Sequence, residues 1–161
     1  MSRATIKTHC KRLAAPYRQR PKAASIIASA KKLAHLVLSS RELLDEHRRK
    51  MLKEVLWLIT EADGKYSTRY RSKEVVRLAR QQPGSQVAIQ HEHVFPRAVV
   101  ARDIIARESE FRRFPKRLDK LLDDMVGCVV TVEEHTRLLD GESGWARYKR
   151  VPVLDMSMEN A

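Results

Sequence analysis

The sequence predicts a mostly helical protein with a small β element, an α+β chain. Apolar residues recur at three- and four-residue spacing through most of its 161 residues, the mark of amphipathic helices. β-Branched residues gather in two short runs, 86–95 and 128–131, enough for one small strand pair. Hydrophobic residues make up 43% of the chain, too many for a disordered polypeptide, while 6% are aromatic and 32% charged. That balance points to a charged helical surface rather than a β-sandwich.

Each element has its own signal. Residues 1–20 read as a basic arm without sustained period. Pro21 suits a first helical turn, and Ile26, Ile27, Ala30, Leu33, Ala34 and Val37 follow on one face. Ser39 with Glu42 reads as a capping box for a second helix. That helix carries Leu44, Met51, Val55, Leu58, Ile59 and Ala62 and stops near Glu61, at Asp63-Gly64. Residues 63–72 read as a polar loop. Ser72 caps a short helix that ends at Pro83-Gly84. Residues 86–95 read as a strand, and Pro96 and Pro115 each open an amphipathic helix. Gly127 breaks the second of these, 128–131 reads as a strand, and Thr131 with Glu134 caps a helix over 132–139. A boundary near residue 83 divides a basic helical region, 1–82, from a second region, 83–161, with one shared core as the alternative.

No window approaches 18 uncharged apolar residues, so no membrane span is expected. The first residues lack the apolar stretch of a secretory signal. The two cysteines, Cys10 and Cys128, form no CxxC pair, which excludes a disulfide scaffold or cysteine-rich zinc site and points to a reducing, cytoplasmic setting.

The net charge of +12 is unevenly placed: residues 1–80 carry +13 and residues 81–161 carry −1, and no acid precedes Glu42. Cations laid on phosphates release condensed counterions, so nucleic acid, in the first instance double-stranded DNA, is the expected partner. An anionic protein partner or membrane surface, or a presequence-like arm, are the alternatives. The segment 65–73 interleaves cations with tyrosines. Lys65, Tyr66, Arg69, Tyr70, Arg71 and Lys73 are the expected nucleic-acid contacts, against an ordinary solvated loop. Trp145 and Tyr148, in GWARYK, read as packing rather than base stacking, and His9, His35 and His47 receive no role.

Two segments carry chemistry: Glu92-His93-Val94-Phe95-Pro96, and Cys128-Val129-Val130-Thr131-Val132-Glu133-Glu134-His135. The first sets a carboxylate beside a histidine at a strand end; the second leads a strand directly into a helix bearing a histidine. This pattern resembles the ββα-metal fold of the HNH endonucleases over residues 86–139. The resemblance implies that Glu92 and His135 hold a divalent metal, with Mg²⁺ first and Mn²⁺ or Zn²⁺ as alternatives. It also implies that His93 is the general base, and that the second region is a ββα unit with inserted helices. Histidine suits removal of a proton from water near neutral pH, and a cation neutralises charge on the scissile phosphate. Val126 stands where the family carries a further asparagine ligand, and Leu139 where a second helix ligand would fall. A binding or inhibitor protein that keeps the scaffold without catalysis is therefore the alternative to an endonuclease, and a helical adaptor for an acidic protein is a third reading. The ββα resemblance expects the two strand segments to be adjacent and to be the only β structure. Separation of the segments, or a sheet of four or more strands, contradicts the nuclease reading.

Overall fold

Alanines at positions 23, 30 and 34 give the first helix a flat face, and that face meets the second helix. The computed structural model describes residues 10–12, 17–81 and 86–158. The elements run β1 (Cys10–Arg12), α1 (Ala23–Ser39), α2 (Asp45–Thr60), β2 (Tyr70–Ser72), α3 (Lys73–Gln81), β3 (Gln86–His93), α4 (Arg97–Ala106), α5 (Glu108–Arg113), α6 (Pro115–Asp123), β4 (Gly127–Thr131), α7 (Val132–His135) and β5 (Val153–Asp155), with a 3₁₀ turn at Gly144–Tyr148. Helices α1 and α2 pack with α4, α5 and α6 around Leu38, Leu52, Leu56, Ile104, Phe111 and Leu118, all 2% exposed or less. Each such side chain contributes about 1.5–3 kcal/mol on burial. This core crosses residue 83, so the two halves share it; residues 82–85 themselves lie outside the described residues. Buried Arg48 ties α2 to its surroundings, pairing with Glu108 at 2.6 Å and donating to the Val37 carbonyl at 3.3 Å.

Strands β3 and β4 pair antiparallel from Ile89↔Thr131 to His93↔Gly127, and β4 runs straight into α7. The expected adjacency is therefore present. The expected size of the sheet is not: among the described residues it has five strands in the order β1-β3-β4-β2-β5. The additions come from segments read as arm, loop and tail. β1 flanks β3, parallel β2 flanks β4, and β5 closes the far edge. Strand β4 is buried at every position, and a buried strand needs hydrogen-bonding neighbours on both sides. Strand β3 supplies one neighbour, and β2, a three-residue segment too short to show a period, supplies the other.

Three smaller expectations are also corrected. Ser39 does not cap α2: its hydroxyl donates back to the His35 and Leu36 carbonyls inside the last turn of α1, and α2 starts at Asp45 with Leu44 before it. Its buried face is Leu52, Val55, Leu56 and Ile59, while Leu44, Met51 and Leu58 remain exposed. The helix at 132–139 is a single turn ending at His135. The Ser72 cap of α3 is present, accepting from Val75 N at 3.1 Å, as is the Thr131–Glu134 capping box. Among the described residues no helix is long and apolar enough to cross a membrane.

Candidate functional site at the end of strand β3

Alternation along β3 sends Glu92 to one face of the sheet and His91 and His93 to the other. On the first face, the capping box fixes α7: Glu134 N donates to Thr131 Oγ1 and Thr131 N donates to Glu134 Oε2, each at 3.0 Å. The Ser72 hydroxyl also donates to Glu134, so this carboxylate is a structural hub. The turn so anchored carries His135 over β3, where its Nδ1 lies 2.9 Å from Glu92 Oε1. The two atoms are close, yet His135 Nδ1 makes no aligned hydrogen bond. Gln90 donates to Glu92 Oε1 at 3.0 Å, and Arg147 Nη2 stands 3.8 Å from Glu92 Oε2. Arg147 also donates to the His93 carbonyl at 3.1 Å, which clamps the 3₁₀ turn to the strand end.

On the second face, His93 Nδ1 meets Thr60 Oγ1 at 2.9 Å. The Thr60 hydroxyl is 3.1 Å from the carbonyls of Leu56 and Trp57, the usual helical acceptors for its one proton. The hydroxyl therefore accepts from His93 Nδ1–H, and the free lone pair of His93 sits on Nε2. Burial, then the charges of Arg97, Lys65 and Arg147, push the His93 pKa down to about 4. His91 lies deeper, with Nδ1 3.3 Å from Glu61 Oε1 and Nε2 facing the Thr60 carbonyl without a well-aligned bond. Burial, then His93 and Lys65, push its pKa down to about 3. The two imidazoles stand edge to face, 5.0 Å between centroids. Gly127 makes room for them: a Cβ there would fall 2.1 Å from His91 Nε2.

The structure thus brings Glu92 and His135 together and leaves His93 on the opposite face of the same strand. Residues 65–73 behave differently from the expected phosphate grip. Arg71, 1% exposed, is inside the sheet on β2 and is not a surface contact. Arg69 forms an ion pair with Asp155 and lies over the Tyr70 ring. Tyr70 packs edge to face on Trp145, and Tyr66 packs against the Val75, Ile89 and Val129 cluster. Lys65 and Lys73 keep positions from which a phosphate is reachable, with Lys73 exposed at the start of α3. The correction has one cause, since residues 70–72 are a strand between β4 and β5 rather than a loop. Arg97 and Arg147 are the cations that composition did not single out. Arg147 lies in GWARYK, whose aromatic residues were its only signal.

Among the described residues no three His, Cys, Asp or Glu side chains group to hold a metal. Glu92 and His135 supply two donors at 2.9 Å, close to the roughly 3 Å between neighbouring ligands of a cation bound at about 2.1 Å. Their spacing fits two adjacent positions of such a cation, and water and phosphate would have to fill the rest. Arg147 already brings positive charge to the same carboxylate. Comparison with protein-family models, with curated proteins and with solved structures found no match.

Proposed function

We propose that this protein binds nucleic acid through the C-terminal end of β3 without cleaving it. The observation that carries the reading is the convergence on His93 of Lys65, Arg97 and Arg147, from three separate segments, each close enough to depress its pKa. Positive charge at the strand end attracts a phosphate. Further off, the acid-free residues before Glu42 add sequence-independent attraction. Two features favour binding over hydrolysis. The five-stranded sheet departs from a minimal ββα-metal unit, and the charge of Glu92 is met internally by Arg147. The test is binding of a labelled oligonucleotide over a range of salt. Arg97→Ala and Arg147→Ala should each weaken binding and lower the slope of log K against log salt by about one. A slope near zero for the parent protein overturns the reading.

A second reading, metal-dependent endonuclease activity, is favoured by the unaligned approach of His135 Nδ1 to Glu92 Oε1 and by the free Nε2 of His93, while the five-stranded sheet counts against it. Bound there, a divalent metal supplies charge neutralisation for a phosphodiester. Glu92 and His135 would hold it, and His93 Nε2 would take a proton from water at the strand end. Supercoiled plasmid incubated with Mg²⁺, Mn²⁺ or Zn²⁺ decides between the readings. Nicking that EDTA and His93→Ala both remove establishes the enzyme; identical behaviour of parent and variant eliminates it.

A further inference from the structure

The register of the sheet lines up Glu92, Cys128, Tyr70 and Asp155 directly opposite one another on β3, β4, β2 and β5. Directly opposed residues share a face, so these four form one row across the sheet. The 3₁₀ turn Gly144–Tyr148 lies along that row. Arg147 reaches back to the His93 carbonyl, and Trp145 lies over Tyr70, 4.9 Å between ring centroids at 64°. Tyr148 supports the indole from another side at 5.5 Å and 57°. Neither tyrosine stacks flat upon it, and Trp145 remains 42% exposed. The indole is therefore braced by two rings while two fifths of the residue stays exposed.

Charge brackets this ring. On one side is Arg147 at the strand end. On the other, Arg69 is paired with Asp155, much as Arg147 faces Glu92. Lys149 and Arg150 are exposed on the same segment, and no acid occurs from 145 to 150. Lys149 and Arg150 thus set exposed positive charge within five residues of an exposed indole, the combination that holds a backbone phosphate beside a stacked base.

We infer that Trp145 is a stacking platform for an unpaired nucleobase, flanking the phosphate contacts at the end of β3. The inference rests on the nucleic-acid reading and deepens it by naming the ligand class: a single strand or an extruded base, in place of the intact duplex expected from charge alone. Bases within a duplex offer only their edges, because their faces are already stacked on each other. An exposed indole stacks on a face, so it selects nucleotides whose face is free.

The chain has two tryptophans, so Trp57→Phe leaves Trp145 as the sole indole fluorophore. This variant is titrated with a fluorescently silent thymidine oligonucleotide and with a duplex of equal phosphate number, while anisotropy of labelled copies reports binding. The single strand should quench Trp145 emission and the duplex should not. Trp145→Ala should weaken single-strand binding about tenfold and duplex binding less than twofold, with Trp145→Phe recovering part of the loss. Binding of the single strand without quenching overturns the platform and leaves the nucleic-acid reading standing, as does an unchanged single-strand affinity of Trp145→Ala. If neither oligonucleotide binds, the nucleic-acid reading falls and takes the platform with it.

Discussion

The two faces of β3 handle their ionisable residues in opposite ways. On the face toward α7, Glu92 meets the His135 imidazole and the Arg147 guanidinium, so the carboxylate has a cation and a polar ring beside it. On the face toward the end of α2, His91 and His93 are pressed against Thr60, Glu61 and Gly127, and burial keeps both neutral. One face sets a carboxylate among polar partners; the other packs two imidazoles against the end of α2. Adjacent residues of one strand can therefore look like a single motif in the sequence and belong to different environments in the fold.

The largest effect that tests this contrast is on the packed face. Gly127→Ala drives a methyl to 2.1 Å from His91 Nε2 and 3.0 Å from the Thr60 carbonyl. Backbone and a buried ring cannot both retreat, so a loss of about 3 kcal/mol is expected, read as a fall in urea midpoint. A midpoint within error of the parent would show that His91 has somewhere else to go.

Next in size is the response to acid. Both histidines have folded pKa values, about 3 and about 4, below the ordinary value of 6.5. Above pH 6.5 they are neutral in both states. As pH falls from 6.5 toward 4 the unfolded chain takes up protons that the folded chain refuses, and stability drops by up to about 1.4 kcal/mol per pH unit for each histidine. His93→Gln should remove one proton from that slope in denaturation curves at pH 7, 6 and 5. An unchanged slope places the depressed pKa elsewhere.

Glu92→Gln probes the carboxylate face. Removing one negative charge beside Arg147 should raise nucleic-acid affinity about threefold at moderate salt, the size of a single charge contact in high dielectric. Unfolding free energy should change by less than about 1 kcal/mol. Weaker binding, restored by adding Mg²⁺, would instead favour the metal-dependent reading. The smallest effect belongs to Lys73→Ala. Exposed at the start of α3, it should alter stability by less than about 0.5 kcal/mol. Arg71→Ala, two residues away and buried, should cost about 2–4 kcal/mol through lost packing and desolvated partners.

Much of the architecture was legible along the chain. Helical periodicity located α1, α2, α4 and α6. Pro96 and Pro115 marked two helix starts, Ser72 and Thr131 supplied real caps, and the pairing of 86–93 with 127–131 followed from two β-branched runs. These features rest on local physics, namely side-chain period, caps and the φ restriction of proline. The Glu92–His135 meeting was expected only from the ββα resemblance, and the direct run of β4 into α7 is what sets His135 beside Glu92.

Only tertiary structure decided the rest. Strands β2 and β5 have three residues each and no pattern of their own: β2 pairs with buried β4, and β5 pairs with β2. The same pairing took Arg71 inside and left Lys73 outside. Helix α2 turned Leu52 and Leu56 inward where Leu44 and Leu58 had equal hydrophobicity, because α1 and α4 approach from that side. The segregation of His93 from Glu92 was implicit in strand alternation, but its consequence was not. Which face is dry depends on the end of α2, and that contact joins residues thirty-three positions apart. A sequence specifies a period and a cap by itself; which side of the period meets water is settled by the partner packed against it.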